Sequence, residues 1–419
     1  MRARLFIFAG FIALSASAQL PQVQLPQVPL PGVQVPVLPA AERALGGTLR
    51  QLSGARALRA ERLLAQNRAE LDRDPRGDLV VRAEVIGIDV TPDALANAQK
   101  AKFVVLRTQD LAELGVRITV LQTPEGMSAS RGLKRLRKLD PEGTYDFNHV
   151  YLDSGAEDVS TARPANVPSP TRPGRSRIGL IDGGVDADHE VFAGIRIHHN
   201  GCDGKVVPSP HGTAVAHLLV SRSSIGELFS ADVYCGEAAG GAVDAVSEAF
   251  GWMARERVAV INVSLVGPRN KLMERVVATL IARGHVIVAA VGNDGPAAPP
   301  LYPASYEGVI GVTAVDEKHL VLIEACRGKQ VDFAAQGADM NAAAAAPNVY
   351  VDVRGTSFAA PIIAMLFAGD VDTPDPALAQ LALAKWKGSA SDLGKRGRDD
   401  VYGEGQLGGD PDPVLERYK

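Results

Sequence analysis

The sequence predicts an α/β protein. A three-layer domain with a mostly parallel central sheet is expected over residues 177–419, preceded by a small α+β, ferredoxin-like domain over 78–155. Three observations predict this. Short apolar runs at 178–181, 231–234, 259–265, 286–290 and 309–315 lack the alternation of half-exposed strands, as strands covered on both faces do. Helical patterns at 243–255 and 271–283 lie among them, the arrangement that puts helices on both faces of a parallel sheet. Upstream, 79–153 reads in the order βαββαβ. At 419 residues and 46% hydrophobic, the chain is long enough for one large core and a second small one.

Taken in order, residues 1–18 read as a secretory signal peptide. Arg2 and Arg4 precede an apolar stretch from Leu5 to Leu14, and Ala16-Ser17-Ala18 supplies small residues for cleavage before Gln19. That stretch is shorter than the roughly 20 residues a spanning helix needs. The mature protein is therefore expected to be exported, periplasmic or extracellular, without a membrane span. Residues 19–40 repeat prolines too often for a helix or a central strand and read as an extended linker. Residues 41–77, with Leu45, Leu49 and Leu52 at helical spacing, read as an amphipathic helix or hairpin.

Within 78–155, strands are expected at 80–90, 103–106, 116–121 and 145–152. Helices are expected at 91–101, with Pro92 near the start, and at 128–139. Residues 156–176, including the polar run SPTRPGRSR, read as an exposed linker that holds a maturation cut.

The chemistry sits in the last domain. Strand 178–181 ends at Asp182 before a Gly183-Gly184 turn. His211 opens PHGTAVAHLLV, whose Ala214, Val215, Leu218 and Leu219 form a helical stripe. In RGTSFAAPIIA, Ser357 stands where a glycine turn feeds an apolar helix, a place that exposes a hydroxyl and favours negative charge. A serine needs a base and an oriented partner to attack a carbonyl. Each element alone is commonly a turn former, a cap or a helix start; together they supply orienter, base and nucleophile in the order Asp, His, Ser.

These segments resemble the subtilases. Asp182 before its glycines, HGT at His211, VAAVGNDGP around Asn293 and GTSFAAP at Ser357 stand in that family's order. The segments at 258–265, 302–315 and 392–407 extend the resemblance to roughly residues 175–410. One departure is Ile362-Ile363-Ala364-Met365, where the family commonly has a histidine. The resemblance implies a serine endopeptidase with Asp182, His211 and Ser357 as its triad and Asn293 in the oxyanion hole. It implies that a peptide pairs with Ser264, Leu265, Val266 and Gly267. The pocket for the residue before the cut then lies between these and Ala290, Val291 and Gly292. It further implies that 78–155 is an inhibitory propeptide of a self-processed zymogen.

The partners expected are protein or peptide substrates and the chain's own propeptide. With 44 basic against 48 acidic residues and a net charge of −4, nothing invites nucleic acid, and the basic run RGLKRLRK reads as the solvated face of a helix. Cys202 and Cys235 flank the His211 helix and are a possible disulfide, leaving Cys326 odd. The alternative for this region, metal binding by His198, His199 and Cys202, fits no strong zinc spacing. No cofactor is required. Asp186 and Asp188 lack the glycine and distal glutamate of a calcium loop, so structural calcium is not supported and no metal is assigned. Two other functions share this fold: a noncatalytic peptide-binding homologue, and a peptide ligase or cyclase in which an amine intercepts the acyl-enzyme. Val266 stands where relatives have glycine, and a β-branched residue at the pocket mouth predicts small or medium apolar side chains before the cut. Matched peptides with Ala and Phe at that position check this, with Ala expected to be turned over faster.

Overall fold

The computed structural model describes residues 55–154, 156–164, 174–221 and 225–408. The expected signal peptide, the proline-rich stretch, residues 41–54 and most of the run SPTRPGRSR lie outside them. Among the described residues, no helix is long and apolar enough to cross a membrane.

The chain enters as helix α1 (Ala55–Gln66) and a short strand β1 (Leu71–Arg73), both within the segment 41–77 expected as an amphipathic helix or hairpin, whose Leu45, Leu49 and Leu52 lie outside the described residues. Then come β2 (Leu79–Ile88), α2 (Pro92–Lys100), β3 (Val104–Leu111), β4 (Val116–Gln122), α3 (Ala129–Leu139) and β5 (Thr144–His149). Helix α2 starts where the sequence says it must: Thr91 Oγ1 accepts from Ala94 N at 3.2 Å, and Pro92 occupies the first turn, where no N–H is missed. All pairings in this five-stranded sheet are antiparallel, with β2 lying between β4 and β5.

The two faces of this sheet are both apolar. Val85, Leu121, Tyr145 and Phe147 pack with Ala98, Leu133 and Leu136 of α2 and α3. On the opposite face, Ile86, Ile88, Ile118 and Val120 join a cluster with Val246 and Phe250 of α5 (Val243–Arg255) and Met273, Val276 and Val277 of α6 (Lys271–Ala282). A sheet of this size with one apolar face left in water would be marginal, so the small domain depends on the large one.

The large domain adds β8 (Ser176–Asp182), β9 (Arg196–Asn200), α4 (Pro210–Val220), β10 (Ile225–Asp232), β11 (Val260–Val263), β13 (Val286–Ala290), β14 (Ile310–Val315) and β15 (Phe333–Gln336). They form a seven-stranded sheet in the order β15-β14-β13-β11-β8-β10-β9, parallel throughout. Helices α4, α7 (Thr356–Ala368) and α8 (Pro376–Ser389) cover one face, with α5 and α6 on the other. This is the three-layer architecture the apolar runs predict.

Three elements differ from the sequence reading. The strand expected at 231–234 is β10 at Ile225–Asp232; Val233 and Tyr234 already belong to the following turn, where Asp232 Oδ1 accepts from the Tyr234 and Cys235 amides. The last strand of the small domain is split. Two residues, β6 (Leu152–Asp153), leave its sheet and pair antiparallel with β12 (Leu265–Val266) of the large domain. Part of the expected linker is a strand, β7 (Ala156–Pro164), which pairs antiparallel with β17 (Val349–Arg354) beside β16 (Met340–Ala343). Polar composition alone missed it, because its hydrogen-bond partner lies nearly two hundred residues away.

The domains are also joined by charge. The Arg107 guanidinium on β3 binds Glu84 through two nitrogens, at 3.2 and 2.9 Å, and Asp244 on α5 at 2.8 Å. The Asp244 side chain is only 4% exposed, so removing its partner strands a buried charge. Arg107→Ala is expected to lower the stability of the full chain by about 1–3 kcal/mol, read as a fall in urea midpoint; Arg107 is itself partly solvated, which keeps the loss below that of a fully buried pair.

Burial, and after it nearby His189, pushes the imidazole of His217 on α4 down to about 3. There its Nδ1 accepts from Ala343 N at 3.2 Å. The unfolded chain therefore binds a proton that the folded chain refuses. Stability present above pH about 6.5 is lost as the pH falls toward 3, and His217→Gln should flatten that limb of a stability-against-pH curve.

Candidate active site

Asp182 ends β8 at the carboxyl edge of the parallel sheet, where open α/β sheets place their sites. Its Oδ1 accepts from Gly183 N at 2.7 Å, and His211 Nδ1 lies 2.8 and 3.0 Å from its two oxygens. With Nδ1 bound to a carboxylate, Nε2 is the nitrogen left for chemistry. His211 reaches Asp182 because α4 begins against the end of β8. A Cβ on Gly212 would sit 2.2 Å from the Gly183 carbonyl oxygen, so only glycine permits the approach. Ser209 caps the helix, its Oγ accepting from Gly212 N at 2.9 Å.

Ser357 stands in the first turn of α7, after Gly355 at φ +137°, a conformation glycine allows. Pro361 follows four residues later and has no N–H to give the Ser357 carbonyl. Ser264 replaces that bond: its Oγ donates to Ser357 O at 2.9 Å and accepts from Asn262 Nδ2 at 2.9 Å. In return, Ser357 Oγ donates to Ser264 O at 3.0 Å. The nucleophile candidate and the segment expected to bind peptide are thus hydrogen-bonded in both directions.

Asn293 Oδ1 accepts from Thr356 N at 3.1 Å, and Thr356 Oγ1 accepts from Gly292 N at 3.1 Å. The first bond uses the amide oxygen and leaves the Nδ2 hydrogens as donors next to the start of α7. Asp182, His211, Asn293 and Ser357 therefore converge on one place. His211 and Phe358 bring α4 and α7 side by side, with ring centroids 5.4 Å apart.

The cleft holds residues 151–154 of the chain itself. Leu152 pairs with Val266 and Asp153 with Leu265. Ser154 Oγ lies 2.8 Å from Ser357 Oγ and, since the one proton of Ser357 is directed at Ser264, Ser154 is the donor. Tyr151 N donates to Gly241 O at 2.8 Å, and its carbonyl accepts from Tyr234 Oη at 3.1 Å. Val266, expected at the pocket mouth, is fully buried with Leu265, Val291 and Leu301 in the core cluster. Gly267 exchanges two backbone hydrogen bonds of 2.9 Å with Tyr302, Val291 N donates to Val312 O at 3.1 Å, and Ala290 ends β13.

Sequence reasoning missed the tail residues Tyr151 to Ser154, and also Arg56, Arg59 and Asp294. From α1, Arg56 Nε donates to Asp294 at 2.7 Å, next to Asn293, while Arg59 forms an ion pair with Asp153 of the tail. A small-residue break, Ser154-Gly155, straight after the last apolar strand was the one available signal for the tail; nothing local marks the arginines. Elsewhere, Cys202 and Cys235 are bonded, with Cα atoms 5.2 Å apart, and Cys326 is a buried thiol that burial pushes up to about 12. His198 pairs with Glu227 at 3.0 Å and stacks on Phe229, so it does not join Cys202 in a ligand set.

Residues 175–380 match the family described as the Subtilase family. The Minor extracellular protease Epr of Bacillus subtilis is 30% identical over 207 residues, covering 47% of this chain and 32% of that protein. Subtilisin E of Bacillus subtilis is 25% identical over 300 residues, covering 67% of this chain and 77% of its own. The chain thus spans about a third of the first relative's length and about three quarters of the second's. Among solved structures, fervidolysin from Fervidobacterium pennivorans, described as a keratinolytic enzyme related to subtilisin, aligns with a TM-score of 0.65 at 16% identity, over 80% of this chain and 61% of its own; that likeness speaks for the fold. Residues 175–380 are thus a domain of the subtilase family, and the fold agrees with that sequence match.

Proposed function

We propose that the protein is an exported serine endopeptidase made as a zymogen, and that it cuts itself between Ser154 and Gly155. One observation carries the reading: the end of the small domain lies in the cleft as a paired strand with Ser154 at 2.8 Å from the Ser357 hydroxyl. Relatives named as an extracellular protease and as subtilisins support the class of activity and the exported location.

In this mechanism Ser357 turns its O–H from the Ser264 carbonyl to His211 Nε2 and attacks the Ser154 carbonyl carbon while His211 takes the proton. Asp182 holds the imidazole by Nδ1 and stabilises the imidazolium. The oxyanion accepts from Asn293 Nδ2 and the Ser357 backbone N–H, aided by the positive end of α7. His211 then gives its proton to the leaving amine of Gly155, and water releases Ser154 as a carboxylic acid by the same steps in reverse. Protein or peptide substrates from outside follow the same route along Leu265 and Val266, whose main-chain groups bind without regard to sequence.

Helix α1 belongs to the inhibitory part. Its Ala60, Leu63 and Leu64 pack with Val150 and the tail residue Leu152, Arg59 pairs with Asp153 of the tail, and Arg56 binds Asp294 of the large domain. The cut propeptide therefore stays bound until this grip is lost.

N-terminal sequencing of the purified chain should find Gly155 as the new terminus in wild type and no cut in Ser357→Ala; a wild type that stays whole and does not react with a fluorophosphonate turns the assignment toward a noncatalytic peptide-binding protein. Asn293→Ala should keep the fold by circular dichroism and lose about 10²–10³ in kcat. Replacing both Arg56 and Arg59 by Ala should shorten the lag before activity appears in a time course of the freshly refolded chain, without changing the final rate.

A further inference from the structure

Resting on the reading that the chain cuts itself after Ser154, we propose that the strand this cut frees, β7 (Ala156–Pro164), is a second inhibitor. It stays on β17 in the processed enzyme and closes the half of the cleft beyond the scissile bond. It must itself be removed before segments that span the cut are taken. The observation behind this is a pairing: β7 runs antiparallel along β17, the strand that leads into the turn of Ser357.

The chain is paired on both sides of Ser357. Before the cut, Leu152 and Asp153 lie along β12. Past it, Ala156 pairs with Arg354, Glu157 with Val353 and Asp158 with Asp352, and the pairing runs on to Pro164 against Val349. Only Gly155 separates Ser154 from Ala156, so a foreign segment held along β12 arrives within one residue's reach of the same edge. β17 has no second edge to offer, because its other side is paired with β16, from Met340 against Val353 to Ala343 against Tyr350. Nor is it free to shift, since Tyr350, Val351 and Val353 are buried in the core.

The cut frees its two sides unequally. The small domain and its tail become a separate molecule, whose occupancy falls on dilution. β7 keeps its pairing with β17 and stays joined covalently to β8 through residues 165–175. A strand on a short tether meets its edge at an effective concentration of about 1 mM at any dilution, so a strand affinity of about 0.1 mM fills the edge about nine-tenths of the time. Inhibition ends when one peptide bond within 165–175 is hydrolysed, in the run where the sequence predicts a maturation cut, and the piece 155–164 dilutes away. An ester with only a small alcohol beyond its carbonyl needs no part of this edge, so Ser357 stays reactive throughout.

The test places the recognition sequence of an unrelated, sequence-specific protease within residues 165–173, so that the tether of the self-processed enzyme, separated from its propeptide, is cut at will. Two substrates are compared: a peptide ester that ends at the scissile bond, and a peptide that runs past it on both sides. Before the tether is cut, a fluorophosphonate should label Ser357 and the ester should be turned over. Cutting the tether and removing 155–164 should raise kcat/KM for the spanning peptide about tenfold, the factor set by an edge filled nine-tenths of the time, and leave the ester rate unchanged. Amide exchange over 349–354, read by mass spectrometry, should be slow until the piece is lost and fast afterwards. Equal rates on the spanning peptide before and after, with 155–164 shown by mass to be gone, overturn the proposal and leave proteolysis standing. Fast exchange over 349–354 directly after the first cut overturns it in the same way. If a fluorophosphonate labels nothing, the proteolytic reading falls and this proposal falls with it.

Discussion

The site depends on a helix that cannot close its own first turn. Pro361 takes away the N–H that the Ser357 carbonyl needs, and Ser264 supplies the donor from across the sheet. That bond crosses from α7 to the segment between β11 and β12, and the return bond from Ser357 Oγ to Ser264 O doubles it. Ser357 and the segment at Ser264 therefore move as one body. Asn293, bound to Thr356 N, and Gly292, bound to Thr356 Oγ1, attach the third wall to the same turn. A buried carbonyl left unpaired there would cost about 1–3 kcal/mol, so the bracing and the chemistry are one requirement.

The small domain is built around the same economy of surfaces. Its sheet has two apolar faces, one for its own helices and one for α5 and α6. Asn270 shows how closely the two domains are fitted: its Oδ1 caps α6 through Leu272 N at 2.9 Å, and its Nδ2 donates to Phe147 O and faces His149 Nδ1 in the small domain. The tail emerges directly from β5, so a rigid sheet delivers it to the cleft. With only two residues between β5 and β6, there is little slack in where Ser154 can arrive. The position of Ser154 is thus set by the docking of a whole domain, while α1 adds charge and apolar contact on the outside of the tail.

Much of this was legible in the residues. Unbroken apolar runs marked the parallel strands because strands buried on both faces need no polar side, and Thr91-Pro92 marked the start of α2 because caps act within one turn. Asp182, His211 and Ser357 each stood at an element boundary that glycines make visible. What the sequence hid were partnerships over long separations. The strand at Ala156–Pro164 looked like a polar linker since its pairing is main-chain to main-chain with Val349–Arg354. Arg56 and Arg59 looked like any charges on an amphipathic helix.

The sequence by itself determined the layers, the order of the chemistry-bearing residues and the turns that hold them, because hydrophobic period, caps and glycine conformations are local. Only the tertiary structure decided that Ser264 completes the turn of Ser357, that Val266 is buried in the core, and that Tyr151 to Ser154 fill the cleft. Those facts are hydrogen bonds and contacts between segments distant in the chain, 93 residues apart for Ser264 and Ser357, and such contacts exist only once the sheet has brought its strand ends together.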